Sequence, residues 1–208
     1  MQFEEGYIYH IYNQGNNRQD IFFNRKNYLY FLQKINTYIL PYADILAWCL
    51  MPNHFHLMVL VNDVELGIDT EGFFTKGFAE SETLGENKRT FNFSIGLLLR
   101  TYTNAINKQE NRSGSLFRKE TKAECVNCSN GISPSFIIKN SITQINIVQA
   151  EKQYPQVCFN YIHQNPTKAG LVQHNEDWEF SSARDYLNLR KGKLINKNTA
   201  REYVKISQ

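Results

Sequence analysis

The chain has 208 residues, 42% of them hydrophobic and 21% charged, with 12 Tyr and 14 Phe. That profile fits one globular domain carrying insertions, and the aromatic content excludes a disordered chain. The net charge is only +3, no apolar run reaches the roughly 18 residues of a membrane span, and the start MQFEEGYIYH has neither the basic nor the apolar region of a secretory signal. A cytoplasmic protein with reduced thiols is expected, with no membrane partner.

Residues 6–14 are β-branched and aromatic and predict a strand, closed by the turn Gly15-Asn16-Asn17. Residues 25–40 place Tyr28, Phe31, Leu32, Ile35, Tyr38 and Ile39 at helical spacing, and Pro41 stops the helix. Residues 43–51 and 54–61 predict two strands joined as a hairpin at Pro52-Asn53. In residues 62–90, Gly67, Gly72, Gly77 and Gly85 break every periodic pattern, so a long loop or insertion is expected. Residues 92–110 put Phe93, Leu97, Leu98, Tyr102, Ala105 and Ile106 near one helical face. Residues 115–126 predict a strand, and strand-like pieces follow at 135–138 and 142–148 within a second expected insertion, about 127–150. Residues 155–165 predict a short helix, with Pro155 in its first turn and Pro166 ending it. Trp178, Phe180 and Tyr186 imply that the tail packs back as a helical extension.

Strand, helix, strand, strand, helix, strand is the βαββαβ pattern of an α+β, ferredoxin-like (RRM-like) domain, with an antiparallel sheet and helices on one of its faces. A single such domain over residues 1–208 is expected.

Charge is unevenly spread. Residues 62–86 hold seven acids against one base, whereas 88–122 hold eight bases against two acids. Such polarity suits a phosphate-binding surface and equally a solvated face. Among the cysteines, Cys49 lies in an apolar run, and Cys125-x-x-Cys128 has the spacing of half a zinc site but no second pair follows.

Two local signals carry chemistry. In His54-Phe55-His56, strand alternation points both imidazoles to one face and Phe55 to the other, so two nitrogens can meet one divalent ion. Tyr161 and Asn165 are four apart on the last predicted helix and share a face. Either signal alone fits an ordinary structural role.

Together they carry a resemblance along most of the chain. Its pieces are Tyr9-His10 to Gly15-Asn16-Asn17-Arg18, Trp48 with Met51-Pro52-Asn53-His54-Phe55-His56-Leu57, Arg112-Ser113-Gly114-Ser115-Leu116-Phe117, Tyr161-Ile162-His163-Gln164-Asn165-Pro166 with Ala169-Gly170-Leu171-Val172, and finally Trp178, Ser181-Ser182 and Tyr186. In these the chain resembles the single-tyrosine HUH transposases, and among them the REP-associated tyrosine transposases. Arg118-Lys119-Glu120 departs from the pattern, since many relatives carry Gln there.

The resemblance implies an enzyme that cleaves and rejoins single-stranded or hairpin DNA. His54 and His56 would hold Mg²⁺ or Mn²⁺, with Asn165 at the position of the third, polar ligand. Tyr161 would attack a DNA phosphate, forming a 5′-phosphotyrosine and freeing a 3′-hydroxyl. Relatives of this kind include dimers and monomers, so a homodimer is among the assemblies expected. The chemistry is coherent, because a cation offsets charge on the phosphodiester and covalent catalysis stores the bond for rejoining. A tyrosine with an ordinary pKa near ~10 needs help to ionise, and the sequence does not identify the base. Candidate DNA contacts are Arg18, Arg89, Arg100, Lys108, Arg112, Arg118, Lys119 and Lys122. Two other readings stand beside this one, a non-catalytic nucleic-acid-binding domain of the same fold and a metallohydrolase using His54 and His56. The absence of an H-E-x-x-H or a second H-x-H works against the last.

Overall fold

The computed structural model describes residues 1–68, 74–75, 87–128, 136–139, 142–145 and 150–206. Its central elements are β1 (Ile8–Gln14), α1 (Arg25–Tyr38), β2 (Ala43–Met51) and β3 (His54–Val61). Then come β4 (Glu65–Ile68), β5 (Phe74–Thr75), β6 (Asn87–Thr90), α2 (Phe91–Gln109) and β7 (Lys122–Cys125). The remainder is β8 (Phe136–Lys139), β9 (Ile142–Ile145), α3 (Ala150–Lys168), α4 (Ala183–Tyr186) and α5 (Lys197–Tyr203).

The main sheet runs β2-β3-β1-β7 and is antiparallel throughout. With α1 and α2 as connections, this is the expected βαββαβ core. The hairpin at Pro52-Asn53 pairs Met51 with His54. Gly15 closes β1, donating its N–H to Asn53 O at 2.8 Å. A Cβ there would run into the carbonyl of Gln19, so this turn takes only glycine. α1 starts at a capping box, where the Asn24 side chain accepts from Asn27 N and the Asn27 side chain accepts from Asn24 N.

Both faces of the sheet are covered, not one. Phe55, Leu57, Val59 and Val61 of β3 pack with Phe31 and Ile35 of α1 and with Ile95, Leu98 and Tyr102 of α2. On the other face Met58, Ile8, Leu46 and Cys49 pack with Cys158, Phe159 and Ile162 of α3. The reason lies in the near-continuous apolar runs of β2 and β3, which bury both of their sides.

Other boundaries also differ from expectation. Residues 62–90 contain the three-stranded sheet β5-β4-β6, anchored by buried Leu66. The strand expected at 115–126 is confined to Lys122–Cys125. On α2 the buried residues include Phe91, Ser94 and Ile95, while Phe93 is exposed. α3 begins at Ala150 and runs through Pro166 to Lys168, ending near Gly170 at φ 69°. β8 and β9 form a hairpin near the strand-like pieces expected in the second insertion. Cys125 and Cys128 are paired as a disulfide rather than reduced, with Cα atoms 5.8 Å apart across the turn leaving β7; Cys49 and Cys158 are free and buried. Among the described residues no helix is long and apolar enough to cross a membrane.

The tail seals the outer edge of β2. Leu50 N donates to Phe180 O, Ser182 N to Trp48 O and Asn196 N to Ile45 O, each at 2.9 Å. Ser182 Oγ also meets His163 Nε2 of α3 at 2.7 Å, in the buried seam between helix, strand and tail.

Burial pushes the His163 pKa down to about 3, from about 6.5 in an unfolded chain. The unfolded state therefore takes up the proton first, and stability is lost as pH falls from about 6.5 toward 3. Thermal or urea unfolding should show a loss of about 2 kcal/mol from this group between neutrality and about pH 5. His163→Gln should lack that part of the pH dependence; an unchanged profile would refute it.

Candidate active site

β3 sets the site. His54 and His56 both face the α3 side, while Phe55 between them is in the opposite core. Across the sheet, His54 pairs with Gln14 and His56 with Tyr12 on β1; Tyr12 and His10 in turn pair with Lys122 and Glu124 on β7. Alternation therefore brings His10, Tyr12, Gln14, Lys122 and Glu124 to the same face.

α3 supplies the other wall. Cys158, Phe159 and Ile162 dock it on the sheet, which turns Tyr161, Asn165 and Lys168 to the cleft at i, i+4, i+7 spacing. The Tyr161 ring centroid lies 5.4 Å from that of His56 and 6.0 Å from that of His10. Its side chain is exposed, and its hydroxyl makes no hydrogen bond among the described residues. Asn165 Nδ2 donates to Tyr161 O at 3.0 Å, and the Asn165 side chain stands close enough to the His54 ring to act on its pKa. Lys168 Nζ stands 5.7 Å from the Tyr161 ring centroid. His163 is turned inward to Ser182 and does not face the cleft.

The imidazoles are held by their Nδ1 atoms. His54 Nδ1 lies 2.6 Å from Asn53 Oδ1, and since that oxygen only accepts, Nδ1 carries the proton and Nε2 keeps its lone pair. His56 Nδ1 lies 2.9 Å from His10 Nε2, and His56 Nε2 is buried with no partner among the described residues. A lone pair is free on that Nε2 only when His56 Nδ1–H donates to His10. An orphaned buried nitrogen of this kind calls for a ligand. His54, His56 and Asn165 thus form a mixed N/O donor set suited to a divalent cation, although no group of three His, Cys, Asp or Glu forms a metal cluster among the described residues.

Burial holds His54 below the ordinary histidine range, partly opposed by the Asn165 side chain. His56 lies well below it, through burial and then through its neighbours His10 and His54. All three rings are therefore neutral near neutral pH, the form that ligates metals. Tyr12 differs sharply from Tyr161. Its hydroxyl donates to Glu124 Oε1 at 2.5 Å, and that bond, with burial, raises its pKa to about 12.

Arg118 and Lys122 line a cavity of about 410 Å³ with Gln14, His54, His56 and Tyr161. The other basic residues singled out from sequence do not line it. Arg100 and Lys108 are on α2, which covers the opposite face; Arg89 is on β6, Arg18 in the turn after β1, Arg112 in the loop after α2, and Lys119 is exposed beside Arg118. Sequence reasoning missed His10, Tyr12, Glu124, Asn53 and Lys168. Period-2 spacing of His10 and Tyr12 along β1 was the available signal for two of them.

No family model and no curated protein matches the chain. Among solved structures it is similar to a REP-associated tyrosine transposase bound to a REP hairpin, at 14% identity and a TM-score of 0.53, over 94% of this chain and 92% of that one. That likeness establishes a shared fold.

Burial lowers the His10 pKa to about 4, against an upward pull from the Glu124 carboxylate. Ring-nitrogen NMR should place its titration midpoint near that value, and Glu124→Gln should move it lower still. A midpoint near the ordinary value of about 6.5 would contradict the buried His10–His56 pair.

Proposed function

We propose that this protein is a metal-dependent, transposase-like enzyme that cleaves and rejoins single-stranded or hairpin DNA through a 5′-phosphotyrosine at Tyr161. The observation that carries this reading is the unengaged Tyr161 hydroxyl beside two imidazoles, on a cavity lined by Arg118 and by Lys122, the latter paired with Glu120 at 3.0 Å. The solved neighbour is a complex with a REP hairpin, which supports DNA as the partner for a chain of the same fold.

Each residue has a defined task. Arg118 and Lys122 attract the phosphate backbone into the cleft. Lys168 adds a positive charge over the face of Tyr161, where the phosphate arrives. His54, His56 and Asn165 would hold Mg²⁺ or Mn²⁺, which when bound offsets negative charge on the non-bridging oxygens as it builds in the transition state. Asn53 fixes the His54 tautomer, and His56 Nδ1–H donating to His10 would leave the His56 Nε2 lone pair free for this as well. The Tyr161 oxygen gives up its proton and bonds to phosphorus; the P–O3′ bond breaks and the 3′-oxygen takes a proton. Attack by a 3′-hydroxyl on the phosphotyrosine reverses the exchange and rejoins a strand. Tyr12 shares the cavity but is held as a protonated donor by Glu124, so Tyr161 is the nucleophile.

With labelled oligonucleotides from the DNA flanking the gene and Mn²⁺, a covalent protein–DNA complex should form on denaturing gels. Tyr161→Phe should abolish it, by about three orders of magnitude or more in rate, whereas Tyr12→Phe should retain it. His54→Ala or His56→Ala should abolish cleavage yet largely spare hairpin binding. Binding without any adduct would return the protein to a non-catalytic DNA-binding role, and an adduct surviving Tyr161→Phe would move the chemistry elsewhere.

The surface makes a separate forecast. Removing Arg118 and Lys122 together should reduce the salt dependence of DNA binding by roughly two counter-ions' worth of slope, while removing Arg100 and Lys108 should leave it unchanged. The opposite pattern would put the DNA on the α2 face.

A further inference from the structure

A second cavity, of about 320 Å³, lies beside Tyr161 and shares Tyr12 and His56 with the first. Its character is different. Val126, Val157 and Cys158 supply apolar walls, and among the described residues no Lys or Arg lines it. α3 leaves Tyr154, Val157 and Tyr161 exposed at 43%, 59% and 41%, an apolar stripe along the mouth. Among the described residues, the charge at this mouth is the Glu124 carboxylate. Its Oε1 accepts from Tyr12, and its Oε2 has no hydrogen-bond partner among the described residues.

A phosphate would be repelled here. A flat heteroaromatic ring would instead stack on the tyrosines and lie against the valines, and base–aromatic stacking is worth about 1–3 kcal/mol per base. The carboxylate accepts hydrogen bonds and cannot donate them. Cytosine, adenine and guanine each present an exocyclic amine to such an acceptor. Thymine presents two carbonyl oxygens flanking a single N–H, and those oxygens face the carboxylate unfavourably. The volume falls within the range of small-molecule sites, about 300–1,000 Å³, and the cavity adjoins the phosphate-binding cleft across Tyr161, so a strand whose phosphate lies in one places a neighbouring base at the other.

We infer that this second cavity is a nucleobase pocket, in which Glu124 favours a base carrying an exocyclic amine over thymine next to the cleaved phosphate. The inference rests on the proposal that DNA occupies the Tyr161 cleft. It assigns Glu124 to specificity, with Tyr12 holding the carboxylate in place.

The test measures equilibrium binding of oligo(dC) and oligo(dT) of equal length to Tyr161→Phe protein by fluorescence anisotropy, so no cleavage step enters. Oligo(dC) should bind roughly tenfold more tightly than oligo(dT), the size of one good discriminating contact. Glu124→Gln keeps an acceptor for Tyr12 but adds an amide donor that thymine can use, and should shrink the ratio to about twofold. Glu124 is exposed, so this variant should fold. Binding with equal affinities in the Tyr161→Phe protein, or a ratio that survives Glu124→Gln, would overturn the pocket while leaving DNA cleavage at Tyr161 intact. Binding to neither oligonucleotide would overturn both. A base preference without any adduct from the wild-type protein would keep the pocket and remove the catalytic reading.

Discussion

Every feature of the cleft depends on the two-residue alternation along β3. His54 and His56 face α3 only because Phe55, Leu57, Val59 and Val61 face α1 and α2. A slip of one residue would bury both imidazoles among aliphatic side chains and expel the phenylalanine. The tight turn at Pro52-Asn53 and the pairings Gln14↔His54 and Tyr12↔His56 fix that register from both edges. The strand has two dry faces for most of its length, and the histidines stand at its beginning, where the α3-side core gives way to the cleft.

Legibility in the sequence followed the range of the interactions involved. β2 and β3 were readable to the residue, because an apolar run, a Pro-Asn turn and a second apolar run are local signals. The shared face of Tyr161 and Asn165 needed only helical period. α3 was longer than its two prolines suggested: Pro166 forfeits its own backbone bond but stands only two residues before the helix ends at Lys168, with Gly170 closing it just beyond. His10, Tyr12 and Glu124 were invisible as a set, because their meeting depends on which strands are neighbours and in what register, as in His10↔Glu124. The basic cluster is divided for a related reason: a count of charges along the chain carries no face, and α2 takes Arg100 and Lys108 to the far side of the sheet from Tyr161.

Around Tyr161 two kinds of surface meet. On one side stand Arg118, Lys122 and Glu120, and on the other Glu124 among apolar side chains. Tyr12 lines both, and its hydrogen bond to Glu124 engages a hydroxyl that Tyr161 leaves unengaged among the described residues. One carboxylate thus sets the difference between the two tyrosines of the cleft.

The position of the Tyr161 oxygen is settled by contacts remote from it. Cys158, Phe159 and Ile162 press α3 onto β2 and β3, and the seam is closed by Ser182 of the tail, whose hydroxyl accepts from Trp48 N at 2.9 Å and meets His163 at 2.7 Å. Swinging the helix away would strip His163 of its Ser182 partner, while Ser182 keeps Trp48 N and O, and a ring nitrogen left buried and unsatisfied costs about 1–3 kcal/mol. It would also separate Asn165 from His54. The tail therefore does more than cover an edge strand: by locking α3 it holds phenol, carboxamide and imidazoles in one arrangement, the preorganisation that the chemistry proposed for Tyr161 would require.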